Sequence, residues 1–236
     1  MPDVTHQKPA PVLPFFRFCR FFCRWASVLY FRLRAFGTHN VPECGGGILV
    51  ANHQSYMDPV IVTVPLAREC DFMARDTLFR NKAFAKLITS LNAFPVRRGE
   101  ADIGAIKESL RRLKRGRLIV MFPEGTRTED GRIGTILPGL DALARKTNVP
   151  IIPVLIDGLF QVWPRTNPLP RPGNVIIEYD KSITPAEYAH MDAQELTALI
   201  GRRLQAMQRR WHSRMPERRL EWFDPSGQTA DIDDTH

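Results

Sequence analysis

Long apolar runs free of charge are missing from this 236-residue chain. In its most aromatic stretch the longest uncharged run, Trp25 to Phe31, falls far short of the roughly 20 residues a helix needs to span a bilayer. Cysteine is scarce too: Cys19, Cys23, Cys44 and Cys70 include no CxxC pair, and a chain of this size needs no disulfide framework. They read as reduced, cytosol-side thiols. Cys19 and Cys23 are spaced to share a helix face without His or acidic residues at zinc spacing, so they read as small buried residues and no metal site is expected. No GxSxG occurs, which excludes the nucleophile elbow of the α/β-hydrolases, and Ser55 lacks that strained-turn setting. Internal repeats and low-complexity segments are absent as well. Acidic residues are the minority charge, 25 Asp+Glu against 33 Lys+Arg, and the net charge of +8 calls for an anionic partner: nucleic acid, a lipid headgroup surface or a phosphorylated substrate. Arg202, Arg203, Arg209 and Arg210 crowd one helix, yet nothing matches a motif that reads DNA or RNA, so no nucleic-acid partner is expected.

What is present suffices for one sizeable core with appendages. Residues 1–36 read as an amino-terminal segment, 37–212 as the main domain and 213–236 as a polar, disordered tail with Asp231, Asp233 and Asp234. From Val12 to Phe36, Arg17, Arg20 and Arg24 recur at helical spacing and leave Phe15, Phe18, Phe22, Trp25 and Leu29 on a broad apolar remainder. That pattern predicts a helix lying in a membrane interface, guanidinium groups toward phosphates and rings in the acyl region; a core-packing helix is the plainer alternative. Arginines interrupt the apolar part and no small-residue cleavage site follows, which disfavours a signal peptide.

Beyond this segment, strands are expected at 48–52, 71–75, 93–96, 117–122, 150–157 and 174–179. Helices are expected from Pro59, over 81–91, 101–114 and 139–146, and from an Asp192/Glu195 capping box to about Trp211. Strands alternating with helices give an α/β class: a central, mostly parallel or mixed sheet covered by helices on both faces.

At the end of the first of these strands, NHQSYMDP sets His53 five residues before Asp58, at the sheet edge where α/β sites are built. A neutral imidazole beside a carboxylate can take a proton from a hydroxyl, because the carboxylate fixes the tautomer and stabilises the imidazolium. Asp58 before Pro59 also suits a helix N-cap, so the pair alone leaves both readings open. FPEGTR follows another buried-type strand: Gly125 permits close backbone approach, Arg127 offers a planar fork for phosphate, and Glu124 reads as orienting Arg127 or a substrate hydroxyl. FPVRRG puts Arg97 and Arg98 at a third strand end, so three strand ends are expected to converge on one anion-binding, proton-abstracting site.

NHQSYMD resembles the NHxxxxD motif of the glycerolipid acyltransferase family that includes the 1-acylglycerol-3-phosphate acyltransferases, and FPEGTR is similar to that family's phosphate-binding motif. FPVRRG resembles its intervening motif and VPIIPV its fourth, four blocks in family order over about residues 40–160. The resemblance implies that His53 and Asp58 are the catalytic pair, without a covalent acyl-enzyme. It further implies that Arg98, Glu124, Gly125 (through its amide), Thr126 and Arg127 serve the acceptor's phosphate, with Asn52 and Arg97 as lesser members. Many relatives carry an acidic residue at the position of Arg97, so the phosphate role goes to Arg98 first. The implied reaction moves a fatty acyl group from acyl-CoA or acyl-carrier protein, with no cofactor, to the sn-2 hydroxyl of 1-acylglycerol-3-phosphate, giving phosphatidic acid. The implied partners are a membrane lysophospholipid, the acyl donor and an anionic membrane surface on the cytoplasmic face. Another lysolipid acceptor, or a thioester or ester hydrolase using the same pair, are the rival readings.

Overall fold

The computed structural model describes residues 14–97 and 102–215, with side chains from Phe18 onward. The side chains of Phe15 and Arg17, and Arg98 and the tail from residue 216 altogether, therefore lie outside what is described. Seven strands form one sheet in the order β1-β7-β6-β2-β5-β3-β4. These are β1 (Arg34–Phe36), β2 (Gly47–Ala51), β3 (Cys70–Arg75), β4 (Ala93–Val96), β5 (Leu118–Met121), β6 (Ile151–Asp157) and β7 (Ile176–Tyr179). All neighbours run parallel except β6 and β7, so the sheet is mixed, as the alternation of elements implied.

The helices are α1 (Pro14–Phe31), α2 (Asp58–Thr63), α3 (Lys82–Ser90), α4 (Ile103–Lys114), α5 (Leu140–Thr147), α6 (Leu159–Val162), α7 (Pro185–Tyr188) and α8 (Ala193–Arg214). Side chains alternate along β2 and feed two cores. Ile48 and Val50 pack with Leu113 of α4, Leu140 of α5 and Leu204 of α8, while Leu49 and Ala51 join Ile61 of α2, Phe31 of α1 and Val154 of β6. A strand covered on both faces must be apolar throughout, which is why β2, β5 and β6 read as continuous hydrophobic runs. The capping box at Asp192 forms as expected, each end bonding the other's backbone, and α8 runs on to Arg214, past the boundary drawn at 212. In its last turn the buried His212 meets Asp157 at 2.9 Å, tying α8 to the end of β6.

Three sequence expectations change. Residues 34–36 form a strand that pairs with β7 at the sheet's edge; three exposed residues carry no alternation from which to read it. The arginine stripe of α1 does not face outward as a unit. Arg20 donates to the Ala67 carbonyl at 3.2 Å, and Arg20, Cys23, Ser27 and Phe31 form the side turned toward the domain. Phe18, Phe21, Phe22, Trp25 and Leu29 stand outward, Phe18 61% and Leu29 71% exposed. Cys19 and Cys23 are half-buried rather than buried, and all four cysteines are free thiols. No described helix is long and apolar enough to cross a membrane, and no described cluster of His, Cys, Asp and Glu suits a metal ion.

Candidate active site

β2 lies between two parallel neighbours, β5 and β6, and its chain leaves the sheet at Asn52. The Asn52 side chain is committed to the backbone of β6. Its Nδ2 donates to the Ile156 carbonyl at 2.9 Å and its Oδ1 accepts the Ile156 N–H at 2.7 Å, so it replaces a ladder pair just where β2 stops. The turn that follows is wound around one oxygen. Asp58 Oδ2 accepts the Gln54 N–H at 2.6 Å and the Ser55 N–H at 2.8 Å, and lies 2.6 Å from His53 Nδ1.

Three donors on one buried carboxylate oxygen define the tautomer: Nδ1–H points at Asp58, leaving Nε2 as the basic nitrogen. Asp58 is wholly buried, and burial pushes its carboxyl above the ordinary range, while the His53 ring and the two amides favour the carboxylate and oppose that rise. The N-cap of α2 is Met57, and Asp58 is the helix's first residue with Pro59 behind it, so its carboxyl serves His53 and the turn rather than the cap.

The His53 backbone is held from the β5 side. Its N–H donates to Glu124 Oε1 at 3.1 Å and its carbonyl accepts the Thr128 N–H at 2.8 Å, so both backbone groups of the histidine are stapled to the FPEGTR loop. Its ring stacks on Phe122, centroids 4.4 Å apart and planes 23° from parallel. Gln54 adds a third tie, accepting the Phe160 N–H beyond β6 at 3.1 Å. The loops after β2, β5 and β6 thus form one construction that presents a single imidazole nitrogen.

Glu124 is bound differently from the expectation. Its carboxyl bonds the backbone of His53 and of Gly134, not Arg127, and burial raises it to about 7, the two backbone bonds pulling down and the Asp58 charge pushing up. Gly125 sits at φ +70°, where a Cβ would strain the backbone, and its N–H is committed to the Phe122 carbonyl at 3.1 Å, so the residue serves the turn. Thr126 is exposed at the loop's tip.

Arg127 lies with its guanidinium carbon 3.6 Å from the centroid of the Tyr56 ring. Its Nη1 is buried and has no hydrogen-bond partner among the described residues. A buried cationic N–H is costly to leave unmet, so this group has unused capacity to bond an anion.

Arg97 is exposed at the end of β4, on the same carboxyl edge. Three strand spacings separate β4 from β2, about 14 Å at 4.8 Å per spacing. The structure therefore brings His53, Asp58, Glu124 and Arg127 together and leaves Arg97 at the flank, its N–H bonded to Asp102 at the start of α4. Tyr56, Phe122, Gln54 and Thr128 were not picked out from sequence. Tyr56 stands between His53 and Asp58 in the same motif, and that position is the one signal that pointed to it.

The chain belongs to the acyltransferase family, whose model matches residues 32–157, more than half of its length. It is similar to 1-acyl-sn-glycerol-3-phosphate acyltransferases. One from Bacillus subtilis is 25% identical over 170 residues, covering 71% of this chain and 82% of the relative. Another, from Pseudomonas aeruginosa, is 26% identical over 212 residues, covering 84% and 79%. A chloroplastic enzyme of Arabidopsis thaliana is 27% identical over 146 residues, 59% of this chain. Against it and a chloroplastic relative from Brassica napus, the chain spans about two fifths of the relative's length, 41% and 42%. Among solved structures, the 1-acyl-sn-glycerophosphate acyltransferase PlsC of Thermotoga maritima shares the fold at a TM-score of 0.69 and 26% identity, covering 81% of this chain and 77% of that one.

Proposed function

We propose that this chain transfers a fatty acyl group from a thioester to the sn-2 hydroxyl of 1-acylglycerol-3-phosphate, making phosphatidic acid. The observation that carries the reading is His53 Nδ1 held 2.6 Å from the buried Asp58, which leaves Nε2 to accept the hydroxyl proton. The oxygen attacks the thioester carbonyl, the tetrahedral intermediate collapses, and the thiolate leaves with the proton that His53 took up. Atoms balance without a covalent enzyme intermediate, and no cofactor enters the scheme. The donor is acyl-CoA or acyl-carrier protein. Arg127, and Arg98 by its place in the family motif, hold the acceptor's phosphate, turning collision into an oriented encounter.

The lysolipid and its product reside in a bilayer, and α1 is the element suited to it. Its outward face of Phe18, Phe21, Phe22, Trp25 and Leu29 is a continuous exposed apolar strip of the kind that lies in the interfacial region, here on the cytoplasmic face. Transfer of labelled acyl groups by the purified protein tests the reading, with lysophosphatidic acid, a lyso-aminolipid and lysophosphatidylcholine as parallel acceptors. Phosphatidic acid is expected as the dominant product, and its formation is expected to vanish in His53→Ala. Preference for another acceptor moves the protein to a sister specificity, and release of free fatty acid without any lysolipid overturns the transferase assignment.

A further inference from the structure

Tyr56 is the residue in this site whose exposure has no structural explanation. A tyrosine ring 59% exposed, on a loop whose every neighbour is buried or half-buried, contributes little to the core. Its contacts are instead with the groups around the reaction centre. The Arg127 guanidinium lies over its face at 3.6 Å, and Trp163, on the turn after α6, stands 6.2 Å away centroid to centroid. Asp58 anchors the turn on one side of Tyr56 and the His53 backbone staples it to the Arg127 loop on the other. The position of the ring is therefore set by the same bonds that set the catalytic pair.

Arginine has a long, flexible side chain and loses much rotamer freedom when held in one place. No carboxylate is bonded to Arg127 among the described residues. A carboxylate would hold the guanidinium but would also occupy its N–H edge and cancel its charge. An aromatic face can hold the plane of a guanidinium while leaving its in-plane N–H groups for another partner, and Arg127 Nη1 is buried without a protein partner among the described residues. That is the arrangement suited to an anion that must be bound and released in each turnover.

We infer that Tyr56 is a positioning residue that presents Arg127 to the anionic group of the acceptor, through its ring face and not its hydroxyl. Through the Tyr56 loop, recognition of the phosphate is tied to the segment that carries His53 and Asp58, so an anchored acceptor is registered against the base. The inference rests on the proposed phosphate-binding role of Arg127, and the experiment separates the two.

The test is steady-state transfer by the full chain in detergent-dispersed substrate, with Tyr56→Ala, Tyr56→Phe, Arg127→Ala and the double variant Tyr56→Ala/Arg127→Ala. The acceptors are lysophosphatidic acid and monoacylglycerol, its phosphate-free counterpart. Tyr56→Ala is expected to raise KM for lysophosphatidic acid about tenfold, the upper range for a partly desolvated cation on a ring, with a much smaller effect on kcat. Tyr56→Phe is expected to restore KM to within about threefold of wild type, because the ring face is retained. In the Arg127→Ala background, removing the ring is expected to do nothing further. The inference is overturned if Tyr56→Phe is as impaired as Tyr56→Ala, if the two alanine effects simply multiply, or if Tyr56→Ala raises KM equally for monoacylglycerol. Should Arg127→Ala leave the KM for lysophosphatidic acid unchanged, the phosphate role of Arg127 fails. The coupling between ring and guanidinium is then read from the KM of the acyl donor, and non-multiplying effects there assign the anion to the donor instead.

Discussion

Replacing Glu124 by glutamine isolates a single buried carboxyl at the junction of the two motif loops. In the folded protein that carboxyl is raised to about 7 from an ordinary 4.5, chiefly by burial. The unfolded chain releases its proton near the ordinary value. Between the two values the folded state binds more protons, so this group's contribution to stability falls as pH rises through the window from 4.5 to about 7. At about 1.4 kcal/mol per tenfold change, the gap is worth about 3 kcal/mol in full, of which about 2 kcal/mol develops between pH 5 and pH 8. Glutamine carries no charge, and its Oε1 still accepts the His53 N–H. Urea denaturation of wild type and Glu124→Gln at the two pH values gives the difference directly, and other titrating groups cancel in it. The variant should gain about 2 kcal/mol relative to wild type on going from pH 5 to pH 8. A difference between the two proteins that is the same at both pH values refutes the raised carboxyl and the burial argument behind it.

Asp58→Asn can keep an oxygen where Oδ2 accepts from Gln54, Ser55 and His53, but it removes the negative charge that stabilises the imidazolium. A fall in kcat of about a thousandfold with little change in KM is expected, and kcat within tenfold of wild type would remove Asp58 from the mechanism. Asn52→Ala strips both partners from the buried Ile156 backbone and should cost about 2 to 4 kcal/mol by chemical denaturation, whereas a loss below 1 kcal/mol would show that the strand-end bridge matters little. Substituting serine for Phe21, Phe22 and Trp25 together should lower partition onto anionic vesicles at least tenfold while transfer to a short-chain, water-soluble acceptor persists. Unchanged pelleting would refute the interfacial role of α1. Deleting residues 1–36 is a poorer test, because it also removes Phe31 from the core and β1 from the sheet.

Much of the site was legible because its parts are local. His53 and Asp58 are five residues apart on one turn, so their meeting is set by the chain's own reach, and the strand before them announces itself by an apolar run that two covering layers of helices require. FPEGTR is similarly self-contained: the glycine needs its left-handed φ, and the turn closes on its own Phe122 carbonyl. The same locality explains the capping box of α8 and the bounds of β4, which match the expected strand at 93–96.

What depended on distance was not legible. Glu124 reads as a partner for Arg127 three residues on, but it bonds the backbone of His53, 71 residues away, because β2 and β5 are neighbours in the sheet. Arg97 reads as a member of the site until the strand order sets it three strands off. The α1 stripe, taken as one polar face, is divided by the surface it docks on, with Arg20 drawn to the Ala67 carbonyl. Sequence by itself determined the α/β class, since propensity and periodicity act within a few residues, and it offered the His/Asp pair and the anion loop as candidates that the family resemblance singled out. The tertiary structure alone decided which loops became neighbours, that Asn52 became a bridge, that Glu124 lost its ordinary acidity, and that Tyr56 came to lie under Arg127. Those outcomes follow from strand order and burial, which are properties of the packed sheet and have no counterpart in any single segment of the chain.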